Sequence, residues 1–367
     1  MPFVEEKEVI PNEQFGFRKG HSTVQQILRL TEKISKNFQL KQDTAVVFLD
    51  VQRAFDSVWP AGLLHKMKDV FPDNYVHLMA SFLENRNFRC KVEDEMSENK
   101  EIAAGVPQGA LYSPLFYAIY TSDIPKMEDI QLGIYADDTS IAISGPNPEA
   151  IHQNLQMYLD NLEEWCIRWR IQINADKTIA VYFSKKKNPI PPDVLFGETA
   201  IKWESKAKCL GITLDRKLTF KDHIHDAVRK AKASKAQLYP LLNRKSKLSL
   251  KNKMLLYNAV IRPAMMYGCE VWGTAAKTHL KKMQIVQNQT LRLVTNAPYF
   301  VRNSILHEDL NVQKVKNYII DKAMKLYDRS ALSTNPEVAN LGQYDSDAFP
   351  KCPRVLISDR YDQLWDY

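Results

Sequence analysis

The sequence predicts an α+β fold: an antiparallel sheet with packed helices, followed by a largely helical second half. Three observations carry the prediction. Residues 45–49 (AVVFL) form a continuous apolar run that ends in Asp50, the pattern of a strand buried on both faces. Residues 131–135 and 140–144 are short runs of strand character that flank Asp137 and Asp138 and leave no room for a helix, so they read as a tight hairpin. Beyond about residue 220 the apolar spacing becomes helical. Strand, then helices, then hairpin is an α+β order in which these strands can lie side by side.

Taken in order, residues 11–32 open with Pro and Gly punctuation. A helix then starts with Ser22 or Thr23 as its N-cap, and Val24, Ile27, Leu28 and Leu30 form its apolar stripe. Arg18, Lys19 and His21 gather at its N-terminal end, which suits an anionic group such as a phosphate and equally fits exposed charges beside a cap. Asp50 then ends the buried run. An unpaired carboxylate there is costly; a metal ion or hydrogen-bond donors would relieve the cost, and capping of the following turn is the alternative. Asp56 could cap the segment that begins at Trp59 and Pro60.

Residues 60–85 read as two short helices, with Leu63, Leu64 and Met67 on one face and Val76, Met79, Phe82 and Leu83 on the next. Residues 88–92 and 100–104 read as a strand pair around an acidic turn. Gly105-Val106-Pro107-Gln108-Gly109 is a stiff loop between glycines, and Ser113-Pro114 starts a helix that runs to about Asp123. The hairpin at 130–144 holds two like charges at its tip, which repel unless a cation sits between them. A long amphipathic helix (147–169) and a turn (174–178) lead to a strand at 179–183. A basic and Pro-rich loop (185–192) and strands at 194–203 and 207–214 come next. Helices are expected near 221–240, 249–260, 276–296 and 311–330. From Ala331 the periodicity is lost, and a weakly ordered tail is expected over 331–367.

Composition narrows the classes. Apolar residues make up 45% of the 367 and charged residues 25%, as in an ordinary globular chain, and 12 Gly with 18 Pro argue against collagen-like or low-complexity character. The net charge is +7, yet residues 177–262 hold 20 Lys/Arg against 6 Asp/Glu, a balance of +14 that leaves −7 for the remainder. Such a segment points to a polyanionic partner, or to solvated helix faces. The five cysteines are widely spaced and lack zinc-finger or redox spacing, which fits free thiols in a reducing compartment. Neither a signal-peptide core in the first ten residues nor an apolar run of membrane-spanning length is present.

Three carboxylates at neighbouring strand ends, Asp50, Asp137 and Asp138, would make a hard-oxygen site suited to Mg²⁺, and the lack of nearby His and Cys argues against zinc. Two such ions about 4 Å apart serve phosphoryl transfer by activating one oxygen and stabilising the leaving one.

At this point the residues resemble a family. FLDVQRAFDSV, GVPQG followed by SPLF, YADDT, and NADKT followed by CLGITLD are similar, in order, to the palm motifs of reverse transcriptases. RPAMMYGCEVWG and the following LKKMQIVQNQTLRLVTNAPYFVRN resemble the continuation in non-LTR (LINE-type) retrotransposon enzymes, particularly the jockey-like group. The likeness runs from about Asn12 to Ser330; each motif alone is weak, but five in the right order are specific.

The resemblance implies a right-hand polymerase: residual fingers at 1–44, a palm with part of the fingers at 45–215, a helical thumb at 216–300 and C-terminal helices at 301–330. It implies an RNA-directed DNA polymerase that joins dNTPs to a primer 3′-hydroxyl on an RNA template. Two Mg²⁺ ions would be bound by Asp50 and Asp137, with Asp138 assisting. Phe55 falls at the aromatic steric gate against a 2′-hydroxyl, Gln108 and Gly109 at the loop that meets nucleotide and template, and Lys177 at the lysine that protonates pyrophosphate. Arg18 is a candidate triphosphate contact, Cys209, Leu210 and Gly211 match the primer grip, and the basic helices would grip template and primer phosphates.

Ala110 replaces a usual serine and Tyr112 a usual aliphatic residue. Earlier finger motifs, an endonuclease domain and a cysteine-rich knuckle are missing, so a fragment of an element's second open reading frame, or an N-terminally truncated copy, acting inside the cell as a ribonucleoprotein is expected. A catalytically inactive remnant that still binds nucleic acid is the alternative. A two-metal nuclease is disfavoured because nothing here looks like a water-activating base beside the aspartates.

Overall fold

Strand β1 (Asp43–Leu49) is buried almost throughout and lies at the centre of a five-stranded sheet, whose order is Trp203–Glu204, Ile179–Phe183, β1, Asp138–Gly145 and Ile130–Tyr135. The computed structural model describes residues 4, 7–187 and 190–358. It resolves into two units: Met1–Gln26, Gln42–Tyr182 and Lys187–Glu204 form the first, and Ile27–Lys41, Phe183–Lys186 and Ser205–Tyr367 the second.

Helix α1 (Thr23–Gln39) is capped by Ser22, whose hydroxyl accepts from the Gln25 N–H at 3.2 Å. After β1 come α2 (Pro60–Lys68) and α3 (Asp73–Leu83). The expected strand pair beyond them is broken into two small ladders, β2 (Asn87–Phe88) with β5 (Lys100–Glu101) and β3 (Lys91–Val92) with β4 (Glu95–Met96). Helix α4 (Ser113–Tyr120) carries Pro114 in its first turn, where the missing N–H costs nothing.

The hairpin forms as expected from β6 (Ile130–Tyr135) and β7 (Asp138–Gly145). Helix α5 (Pro148–Trp169) is capped by the Asn147 carboxamide and buries Ile151, Leu155, Tyr158, Leu159 and Leu162 in the core of the sheet unit. Strand β8 (Ile179–Phe183) follows.

Two expected strands are each hairpins instead. The first divides into β9 (Val194–Phe196) and β10 (Thr199–Ile201), with β11 (Trp203–Glu204) paired parallel to β8, and the second into β12 (Lys206–Cys209) and β13 (Ile212–Asp215). The reason is local. Gly197, and then Leu210 with Gly211, take positive φ, which reverses the chain inside runs that read as continuous.

The second unit is helical: α6 (Lys221–Gln237), α7 (Tyr239–Leu242), α8 (Leu250–Leu256), a π turn at Tyr257–Ile261, α9 (Arg262–Met266), α10 (Cys269–Trp272), α11 (Lys277–Thr295), α12 (Asn303–Asp309) and α13 (Val315–Ala331).

The weakly ordered tail is corrected. Helices α14 (Pro336–Ala339) and α15 (Pro353–Ser358) follow, and Val338, Leu341, Cys352 and Ile357 are buried. Polar contacts fasten this segment to α1: Gly342 N–H donates to Glu32 at 3.1 Å, Lys351 N–H to Gln39 at 3.0 Å, and Arg29 pairs with Glu337. Apolar anchors at irregular spacing produce no period, so the sequence pattern does not show them. The chain start, part of the Pro-rich loop (188–189) and the end of the tail (359–367) lie outside the described residues. None of the five cysteines forms a disulfide; Cys90 is exposed and Cys166, Cys269 and Cys352 are buried.

Candidate functional site

Strand register brings the three aspartates to one end of the sheet. Leu49 pairs with Thr139 and Tyr135 with Asp138, so Asp50, one residue beyond Leu49, runs alongside Asp138. Asp137 and Ala136 form the two-residue turn, and Ala136 takes φ +58°, a left-handed conformation that alanine adopts only under constraint. Asp137 and Asp138 are exposed at the tip and Asp50 is half-buried. Partial desolvation, then the charges of Asp137 and Asp50, hold the Asp138 carboxyl above the usual carboxylate range. The three therefore feel one another, although among the described residues no three His, Cys, Asp or Glu side chains form a ready-made metal cluster.

The glycine loop lies against the turn that follows β1. Gly105 N–H donates to Val58 O at 2.7 Å and Val106 N–H to Phe55 O at 2.8 Å, and a Cβ on Gly105 would stand 2.7 Å from the Asp56 Cα. Glycine alone permits that approach. Asp56 does not cap α2 as expected, since the helix start has no side-chain cap; its carboxylate accepts from Gln108 Nε2 at 2.8 Å. Gly109 has open space where a side chain would be.

Phe55 is half-buried, with its ring 5.1 Å from that of Tyr117 and 6.4 Å, edge-on, from that of Phe17. Burial, with the Asp137 charge next, pushes the Tyr117 phenol well above its ordinary range, which puts that phenol within electrostatic reach of the carboxylate turn. The 174–178 turn is tied to the same strand end, because Asn174 N–H donates to Asp50 O at 2.8 Å and Asp50 N–H to Thr178 Oγ1 at 3.2 Å. Lys177 projects, exposed, from that turn. Asp50, Asp137, Asp138, Phe55, Gln108, Gly109 and Lys177 thus belong to one set of connected elements in the sheet unit.

Arg18 Nη1 donates to the main-chain carbonyls of Pro11 at 3.1 Å and Gln14 at 3.4 Å, bracing the entry turn.

Cys209, Leu210 and Gly211 lie in the second unit, at the β12–β13 turn, where Tyr267 Oη donates to Leu210 O at 2.9 Å. Beside them is a cavity of about 180 Å³ lined by Lys208, Thr213, His223, Asp226, Lys230 and Tyr267 and by Arg229, which pairs with Asp226 at 2.9 Å. Its lysines and arginine outnumber the one carboxylate, and His223 Nε2 is buried with no hydrogen-bond partner. Burial first, then the charge of Lys230, lowers the His223 imidazole to about 4.

Sequence reasoning misses one group. Gln14 is 2% exposed, and its Oε1 accepts from Gly16 N–H at 2.8 Å and from Ala136 N–H at 3.0 Å. Gln26 Nε2 donates to both Glu13 O and Ile134 O at 2.9 Å. These glutamines read as polar positions near a helix start, and the glycine two residues past Gln14 is the only local hint of close backbone approach.

The family model described as reverse transcriptase (RNA-dependent DNA polymerase) matches residues 2–214. The chain is 39% identical over 333 residues to a protein from Drosophila melanogaster named probable RNA-directed DNA polymerase from transposon BS, covering 88% of this chain and 37% of that protein. It is 37% identical to the RNA-directed DNA polymerase from mobile element jockey of the same fly, covering 91% of this chain and 37% of that protein. The chain thus spans little more than a third of these curated relatives. Apo telomerase from Candida tropicalis aligns over 95% of this chain and 59% of its own at 11% identity, with a TM-score of 0.43 that is too low to add weight. The aspartate strand ends, the glycine loop and the match across 2–214 agree: the chain belongs to the reverse transcriptase (RNA-dependent DNA polymerase) family, among the non-LTR, jockey-like retrotransposon enzymes.

Proposed function

We propose that this chain is the polymerising part of an RNA-directed DNA polymerase, joining dNTPs to a primer 3′-hydroxyl with release of pyrophosphate. The observation that carries the reading is the register that sets Asp50 beside Asp138 and Asp137, next to Phe55 and the glycine loop. The oxygen-only donor set fits magnesium, which binds through one or two carboxylates and completes its octahedron with water and substrate phosphates. When bound, a pair of such ions supplies an activated attacking oxygen and charge stabilisation at the leaving one. Asp50 and Asp137 would hold both, with Asp138 assisting.

The side chains contribute the rest. Phe55, braced by Tyr117, presents a ring against the sugar and excludes a 2′-hydroxyl by contact. Gln108, steadied by Asp56, and the open Gly109 receive the base pair being formed. Lys177, held on the turn bonded to Asp50, donates a proton to the departing pyrophosphate. Arg18 braces the entry turn through Nη1 and stands as a candidate triphosphate contact. In the second unit, Lys208 and Lys230 around the cavity suit backbone phosphates of an RNA template and DNA primer.

The test is extension of a labelled DNA primer on an RNA template by the full chain with Mg²⁺. Extension that is lost in Asp137→Asn supports the reading. Salt-sensitive RNA binding without extension, indifferent to Asp137→Asn, would select an inactive nucleic-acid-binding remnant instead.

A further inference from the structure

The turn that carries Asp137 is not held by its own sheet alone. Strand β6 is the outer strand, and a single parallel bridge between Gln14 and Ile134 covers part of its free edge. Around that bridge the main chain is stitched on both sides: Phe15 N–H donates to Ile134 O at 2.8 Å, and Ile134 N–H to Glu13 O at 3.1 Å. Next along the chain the backbone approach is closest, and a Cβ on Gly16 would fall 2.4 Å from the Ala136 nitrogen. Into this contact projects the buried Gln14 carboxamide, whose oxygen accepts the N–H groups of Gly16 and Ala136 together. Both neighbours are donors, so only the oxygen can face them.

Ala136 is also the residue in the left-handed conformation, immediately before Asp137. A strained φ persists only where surrounding contacts over-determine it. The hydrogen bond from Ala136 to Gln14 is such a contact, made across 122 residues of sequence.

We propose that Gln14 is a positioning residue for the aspartate turn: by fixing the Ala136 N–H it sets the direction in which the Asp137 carboxylate leaves the hairpin. Its effect on catalysis rests on the polymerase reading above; its effect on the turn does not. Gln14 touches no reacting atom and acts through Ala136.

Three full-length proteins test this: the wild type, Gln14→Met, which keeps length but has no acceptor, and Gln14→Glu, which keeps an oxygen for both donors. Hydrogen exchange over residues 132–139 should speed up in Gln14→Met while α5, in the same unit, keeps its protection, and Gln14→Glu should stay near wild type. Binding of Mn²⁺ alone, followed by electron paramagnetic resonance, should weaken severalfold in Gln14→Met. In primer extension kcat should fall by up to about 100-fold, the penalty of misplacing a reacting group by about 1 Å, with KM for dNTP little changed.

Unchanged exchange at 132–139 in Gln14→Met would overturn the proposal, as would equal loss in the Met and Glu variants or loosening spread equally through α5. A wild-type chain that extends no primer would remove the polymerase reading, while the exchange and Mn²⁺ measurements would still decide whether Gln14 sets the turn.

Discussion

The aspartate end of the sheet and the fastening of the C-terminal segment to α1 solve opposite problems. At the sheet end, regular strands deliver exposed carboxylates to a shared edge, and like charges are brought near one another at a cost the fold accepts. At the fastening, an irregular segment is held by polar groups pulled out of water. Glu32 is 5% exposed, with Tyr327 beside it and Gly342 N–H donating to it. Desolvation there outweighs these bonds and raises its carboxyl to about 7. The difference teaches that a shifted acid in this chain marks chemistry only where it is open to a substrate. A buried one marks attachment.

Substitutions and pH can break this comparison. The largest effect is expected from Asp137→Asn, which should lower primer extension by about 1,000-fold or more without lowering the urea midpoint. If extension persists, the sheet end is not the reaction centre.

Next in size is Glu32. The folded carboxyl titrates near 7 while the unfolded one ionises near 4.5, so its burial favours the fold fully below 4.5. That advantage is lost as pH rises to about 7, by roughly 3 kcal/mol in all. With His223 replaced by Phe, urea unfolding across pH 5 to 8 should show the decline, and adding Glu32→Gln should flatten it.

His223 should act in the opposite sense. Its folded imidazole titrates near 4 against an ordinary 6.5, so stability is complete above 6.5 and is lost as pH falls towards 4, again by roughly 3 kcal/mol. Over the acid range the two groups nearly cancel in the wild type. A single His223→Phe variant should therefore gain stability on acidification, which urea midpoints at pH 4.5 and 6.5 would reveal. The smallest effect is Asn147→Ala, which removes the cap of α5 and should cost about 1 kcal/mol in the same assay.

Legibility in the sequence divides along the same line. Asp50 was readable as the end of an apolar strand and Asp137 with Asp138 as a hairpin tip, whereas their meeting rests on the β1–β7 register, which the patterns allow without dictating. The loop between Gly105 and Gly109 was readable as stiff, though its grip on Asp56 was not, because a carboxylate before Trp59-Pro60 looks like a helix cap. The strands over 194–214 read as continuous because a turn at Gly197 or at Leu210 and Gly211 interrupts no apolar pattern. Glu32 sits among the polar positions of an amphipathic helix, and only the distant Gly342 and Tyr327 make it a buried acid. Gln14 was invisible for the same reason: its partner is 122 residues away, and a glutamine carries no periodicity.

The bridge at Gln14 has one more consequence. It covers the hydrogen-bonding edge of β6, a strand carrying Leu132 and Ile134, against recruitment by another chain. A version of the protein begun after Phe15 would present that edge bare. Its first failing would be self-association into extended sheets, visible by light scattering, before any question of turnover arose.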